Sequence, residues 1–82
     1  MTKHSFLDFR ILKKRLTIKA AAFVLGLTPD DFTGKEVFVY PEYNFIEILE
    51  DETYLLVIDR SEYKSKDLLE LEEKLYDYYK KS

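Results

Sequence analysis

The chain reads as a small α+β domain. An N-terminal helix or helix pair leads into a three-stranded, mainly antiparallel β-meander, and a C-terminal helix packs on that sheet. Three observations predict it. Residues 35–60, KEVFVYPEYNFIEILEDETYLLVIDR, are dense in β-branched and aromatic side chains that suit a pleated surface. Before them, Phe6, Phe9, Leu12, Leu16, Ala20, Phe23 and Leu27 step by three or four, as on one helix face. After them, Leu68, Leu71, Leu75 and Tyr78 do the same.

In chain order, Ser5 or Thr2 caps a first helix, which predicts helix over most of residues 6–26. The stripe either runs unbroken or breaks near Leu16 and Thr17, where Thr17 is an acceptable N-cap. Gly26 stops it by the usual C-terminal route. Thr28-Pro29-Asp30-Asp31 starts another helix, with a capping threonine, proline in the first turn and acids near the positive end. Thr33-Gly34 leaves it room for one turn. Strands follow near 36–40, 44–50 and 53–59. Pro41 ends the first, or places it at an edge, because proline cannot donate to a ladder. No Asn-Gly or Asp-Gly follows the second, so a loop of four or five residues around 50–53 is expected rather than a two-residue turn. Residues 60–64 read as a polar connector. Ser65 then caps a helix over 66–80, with Asp67 at its start and Lys80-Lys81 at its end, both matching the helix dipole. Phe9, Leu12, Leu16, Phe23, Ile48, Leu55, Val57, Leu71 and Leu75 are the expected core. Tyr78 is read as packing inside.

Eighty-two residues make one domain, 1–82. With no cysteine there is no disulfide, thiol nucleophile or thiolate metal site, which fits a reducing cytoplasm. No apolar run reaches membrane-spanning length. Lys13-Lys14-Arg15 before an apolar stretch faintly mimics a signal peptide, but Lys19 interrupts that stretch and Asp8 precedes it. The net charge of −3 is uneven. Residues 1–29 carry six bases and one acid, and residues 30–82 seven bases and fifteen acids. Such asymmetry marks two binding faces, or complementary halves of one fold.

Residues 16–32, LTIKAAAFVLGLTPDDF, resemble the opening of a helix-turn-helix of the excisionase and MerR type. A capped helix, small Ala21-Ala22, Gly26 at the turn, a second capping Thr28, and Phe32 where two helices would meet all match. The resemblance implies DNA binding. It departs from that pattern where bases would be read: Gly34 cuts the second helix short, and Asp30 and Asp31 stand where Arg, Lys, Asn or Gln are expected. Carboxylates there repel phosphate. An ordinary helical corner packed on the sheet accounts for the same residues.

On a helix, Arg10, Lys14 and Lys13 share a side opposite the apolar stripe. They are candidates for contact with phosphate or an acidic protein surface, or for a solvated face neutralised by the acidic half of the chain. The acids of the hairpin and last helix show no EF-hand spacing. His4 is the one histidine and lies near the N-terminus, and two glycines make no phosphate loop. Neither a cofactor nor catalysis is indicated. Tyr76 and Tyr79 straddle the edge of the last helical stripe and are candidate aromatic anchors, since such side chains favour interfaces. The expected function is a cytoplasmic, non-catalytic protein-binding module that contacts another protein or itself as a homodimer. A bacteriophage or mobile-element accessory or inhibitor protein would have this character. The alternative is a DNA-binding protein that uses residues 16–32 and the basic first helix.

Overall fold

The computed structural model describes residues 3–81. Its centre is a five-stranded antiparallel sheet in sequential order, β1 (Lys14–Thr17), β2 (Glu36–Tyr40), β3 (Asn44–Ile48), β4 (Tyr54–Ile58) and β5 (Ser61–Ser65). The helices are α1 (Phe6–Ile11), α2 (Ile18–Leu25) and α3 (Leu68–Lys81). The α+β class and the packing of the C-terminal helix on the sheet match the sequence expectation. The strand count of three does not.

The first extra strand lies inside the expected N-terminal helix. Ser5 caps α1 by accepting from the Asp8 amide at 3.2 Å, and the helix ends at Leu12. Residues 14–17 then pair with β2, Lys14 opposite Val39 and Thr17 opposite Glu36. Thr17 accepts from the Ala20 amide at 3.2 Å and starts α2. Gly26 closes α2 in the left-handed region at φ 71°. A helical spacing of apolar residues thus spans two short helices and a strand. Tertiary pairing overrides local periodicity where the edge of β2 is free to accept a neighbour.

The second extra strand is β5, read from sequence as a polar connector. It forms because Asp59 (φ 49°) and Arg60 (φ 71°) both adopt left-handed backbone, the signature of a two-residue type I′ turn. Ile58 pairs directly with Ser61 across it. Neither residue is glycine, so the turn is strained. Arg60→Gly is expected to raise stability by about 0.5–1 kcal/mol, since a left-handed non-glycine residue costs about 1–2 kcal/mol and glycine's extra chain entropy offsets part of the gain. An unchanged or lower urea midpoint would count against this origin for the turn.

The two faces of the sheet are covered unequally. On one, Tyr40, Ile46 and Leu56 meet Phe9 of α1 and Leu71, Leu75 and Tyr79 of α3 in the main core. On the other, Val37 meets Ala21 and Ala22 of α2, with Phe32 from the 3-10 turn Pro29–Asp31 and its neighbour. That second face carries Val39, Phe45, Leu55 and Val57 by register and alternation. α2 packs mainly against β1, β2 and the 3-10 turn that follows it.

Several core assignments change accordingly. Phe9, Ile48, Leu55, Leu71 and Leu75 are buried as expected, and Leu16 is half-buried. Leu12, Phe23 and Val57 are exposed. The apolar stripe drawn along residues 6–27 breaks at Thr17, one of its two expected courses, and loses phase at β1, so α2 turns its alanines inward instead. On α3 the inward face is Leu71, Glu72, Leu75 and Tyr79, so Tyr78 points outward. The stripe is rotated by one residue, because a glutamate holds an inward position.

Gly34 sits where the chain enters β2. A Cβ there would lie 2.5 Å from the Ile48 carbonyl oxygen. That carbonyl already accepts from the Lys35 amide at 2.7 Å, so neither strand is free to retreat. The amides of Thr33 and Gly34 both donate to the buried Glu47 carboxylate at 2.8 Å. Gly34→Ala is therefore expected to cost about 1–3 kcal/mol, the usual range for overpacking. A variant as stable as the wild type in urea would show that the approach is looser than drawn.

Candidate interaction surface

The basic cluster does not form one open face. Arg10 Nε and Lys13 Nζ both donate to Glu72 at 2.8 Å, one to each carboxylate oxygen. The Tyr40 hydroxyl donates to the same carboxylate at 2.7 Å. Glu72 itself is fully buried. Burial pushes its carboxyl up, but hydrogen bonds from Lys13, Tyr40 and Arg10 outweigh it and hold the group below the ordinary carboxylate range. Burial, with the neighbouring carboxylate, pushes the Tyr40 phenol far above its usual range. Arg15 bonds Glu36 across the first strand pair, Nε to Oε1 at 3.0 Å. Among the candidates Arg10, Lys13 and Lys14, only Lys14 stands exposed and outside these ion pairs. Register puts it opposite Val39, on the α2 side of the sheet.

The two candidate tyrosines also part company. Tyr79 is buried, its ring 4.8 Å from Phe9, and its hydroxyl accepts from the His4 amide at 3.1 Å. It presents no surface to a partner in this fold. Tyr76 is half-buried, packed 5.1 Å from Phe6, with its hydroxyl donating to the His4 carbonyl at 2.8 Å. It lines a shallow cleft of about 280 Å³ with Phe6, Glu73 and Asp77.

The stretch 16–32 holds the end of β1, the single helix α2 and a 3-10 turn. Where a recognition helix would lie, Asp31 accepts from the Thr28 amide at 2.9 Å and closes that turn. Among the described residues, no group of three or more His, Cys, Asp and Glu is placed to hold a metal ion. No helix among them is long and apolar enough to cross a membrane.

The largest departure from a closed apolar interior is on α2. Ala21 and Ala22 are buried against the sheet, while Phe23 on the outer side is 88% exposed. Val24 and Leu27 beside it are also exposed. Val24 lines a groove of about 240 Å³ with Leu12, Val39 and Tyr43, and Lys14 and Glu42 stand among them. Tyr43 is 71% exposed, and it and Glu42 follow Pro41 in left-handed backbone at φ 64° and 60°. Two successive non-glycine residues in that region are costly. They hold the Tyr43 ring out over the groove.

The sequence did contain a trace of this surface. Three consecutive alanines before Phe23 offer a thin face that suits close packing, which leaves the bulky residue on the other side. The inward Glu72 left no comparable trace, since Glu70 and Glu73 flank it and only its phase relative to Leu68 and Leu75 distinguishes it.

No protein-family model matches the chain, and neither a curated protein nor a solved structure matches it.

Proposed function

We propose that the chain is a small non-catalytic protein-binding module that docks through the outer side of α2 and the adjoining groove. The observation that carries this reading is Phe23, nearly fully exposed on a helix whose opposite side is fully buried. Its side chain makes no contribution to the core, and contiguous exposed apolar residues mark interaction surfaces. Val24, next to Phe23 on α2, leads into the groove that Leu12 and Tyr43 line, with aliphatic and aromatic side chains of the kind that anchor interfaces.

Affinity capture with the full chain and a Phe23→Asp variant tests the reading. Phe23 is solvated, so the variant is expected to keep the wild-type spectrum and a stability within about 0.5 kcal/mol in the unassociated state. Binding of the captured protein is expected to weaken at least tenfold, as for an anchor worth about 2 kcal/mol. Equal binding by both chains would remove α2 from the docking face. Duplex DNA binding that falls steeply with salt would replace the reading with nucleic-acid recognition.

A further inference from the structure

We propose that the α2 face is covered by a second copy of the same chain, its α2 antiparallel to the first about a two-fold axis near Phe23. The inference rests on the reading of that face as a docking surface and names its occupant.

The charges around α2 are the first ground. α2 has no acid in its first turn and no base in its last, and Lys19 sits at its N-terminal end. For a solitary helix this is the unfavourable end for a cation. Beyond the C-terminal end of α2 lie Asp30 and Asp31, in the first turn of the 3-10 segment that follows. Lys19 and Asp30 are exposed, and among the described residues neither takes part in an ion pair. An antiparallel copy gives each of them a counter-charge. Lys19 of each chain then lies near the carbonyl end of the other α2 and its following acidic turn. The same two residues meet twice, as an isologous interface requires.

The shape agrees. On α2, Lys19 and Phe23 stand four residues apart, and Ala20 and Val24 form the next row. Rows spaced by four interdigitate when two helices pack ridge into groove. Ala20 is the small residue on this side, and it leaves room for the other copy's Phe23 ring. The apolar side chains of the face, with Leu12 and Tyr43, expose on the order of 500 Å² of the roughly 800 Å² per partner of a standard interface, and the charged rim supplies the rest. A chain of this size gains proportionally from shared burial.

Sedimentation equilibrium of the full chain from micromolar to millimolar concentration is the test. The wild type is expected to form a dimer, and Phe23→Asp to remain monomeric with an unchanged circular-dichroism spectrum. Lys19→Glu and Asp30→Lys are each expected to raise the dimer dissociation constant about fivefold, because the two-fold doubles each exposed pair. The combined Lys19→Glu/Asp30→Lys chain is expected to recover the wild-type value. A wild type that stays monomeric throughout overturns the pairing. So does a dimer indifferent to Phe23→Asp, or a combined variant weaker than either single one. A monomeric wild type whose captured partner is still lost on Phe23→Asp overturns self-pairing alone and leaves the binding-module reading intact.

Discussion

An Arg10→Ala/Lys13→Ala chain is expected to lose about 3–5 kcal/mol of stability at neutral pH, the range for stranding a buried charge. Glu72 has no exposed surface and keeps only the Tyr40 hydroxyl once both cations are gone. Each single substitution leaves one cation in place and costs less. Removing the acid instead is milder, because the Arg10 and Lys13 side chains are 37% and 23% exposed and can recover water. The pH dependence separates this cause from lost packing. In the wild type the Glu72 carboxyl is lowered on folding. Its contribution is therefore present above the unfolded value near 4.5 and is lost as the pH falls through the folded value. Without both cations burial prevails and the folded value rises. The sign then reverses, so the variant loses stability as the pH climbs past the unfolded value. Urea unfolding at about pH 3 and about pH 7 should show the gap between the two chains narrowing in acid. A gap of equal size at both, or one below about 1 kcal/mol at pH 7, would refute the buried-charge account.

Phe9→Ala is expected to cost about 3–5 kcal/mol, as for other fully buried aromatic residues. Phe9 is fully buried and is the one buried residue of α1. Its ring lies 5.0 Å from Tyr40, 5.4 Å from Tyr76 and 4.8 Å from Tyr79. A six-residue helix has no independent stability, so α1 should detach where the anchor is lost. Amide exchange at residues 9–12 is expected to accelerate more than exchange in β3 or β4. Leu12→Ala, at an exposed position in the next turn, should cost less than about 1 kcal/mol. Uniform acceleration across the sheet and α1 would mean that Phe9 stabilises the whole fold without specifically docking the helix. Because Arg10 follows on the same turn, this variant and the double one should not be additive.

The inner strands and the last helix were legible because their residues agree with their environment. Val37 to Tyr40 and Tyr54 to Ile58 are apolar on both faces and lie inside the sheet. The edge strands were not legible. Lys14-Arg15-Leu16-Thr17 continues a helical spacing, and Ser61-Glu62-Tyr63-Lys64-Ser65 carries the polar residues that suit a solvated edge. Each becomes a strand because a neighbour offers unpaired backbone, a property of the assembled sheet and not of the segment. The candidate site was legible as residue types but not as partners. Arg10 and Lys13 were found as cations, yet their acceptor lies 62 and 59 residues away on α3. Phe23 was found as an apolar residue and assigned to the wrong side of its helix.

The order of the elements also governs what an incompletely folded chain exposes. All five strands precede α3, and α3 supplies Leu71, Leu75 and Tyr79 to the main core. A chain whose sheet has formed but whose α3 is undocked presents Ile46 and Leu56 without their helical cover. An unfinished sheet of this kind recruits neighbouring chains along its open backbone edges. Both edges here are studded with charge, Lys14 and Arg15 on β1 and Glu62 and Lys64 on β5. They discourage strand-to-strand joining between polypeptides while the last helix is undocked.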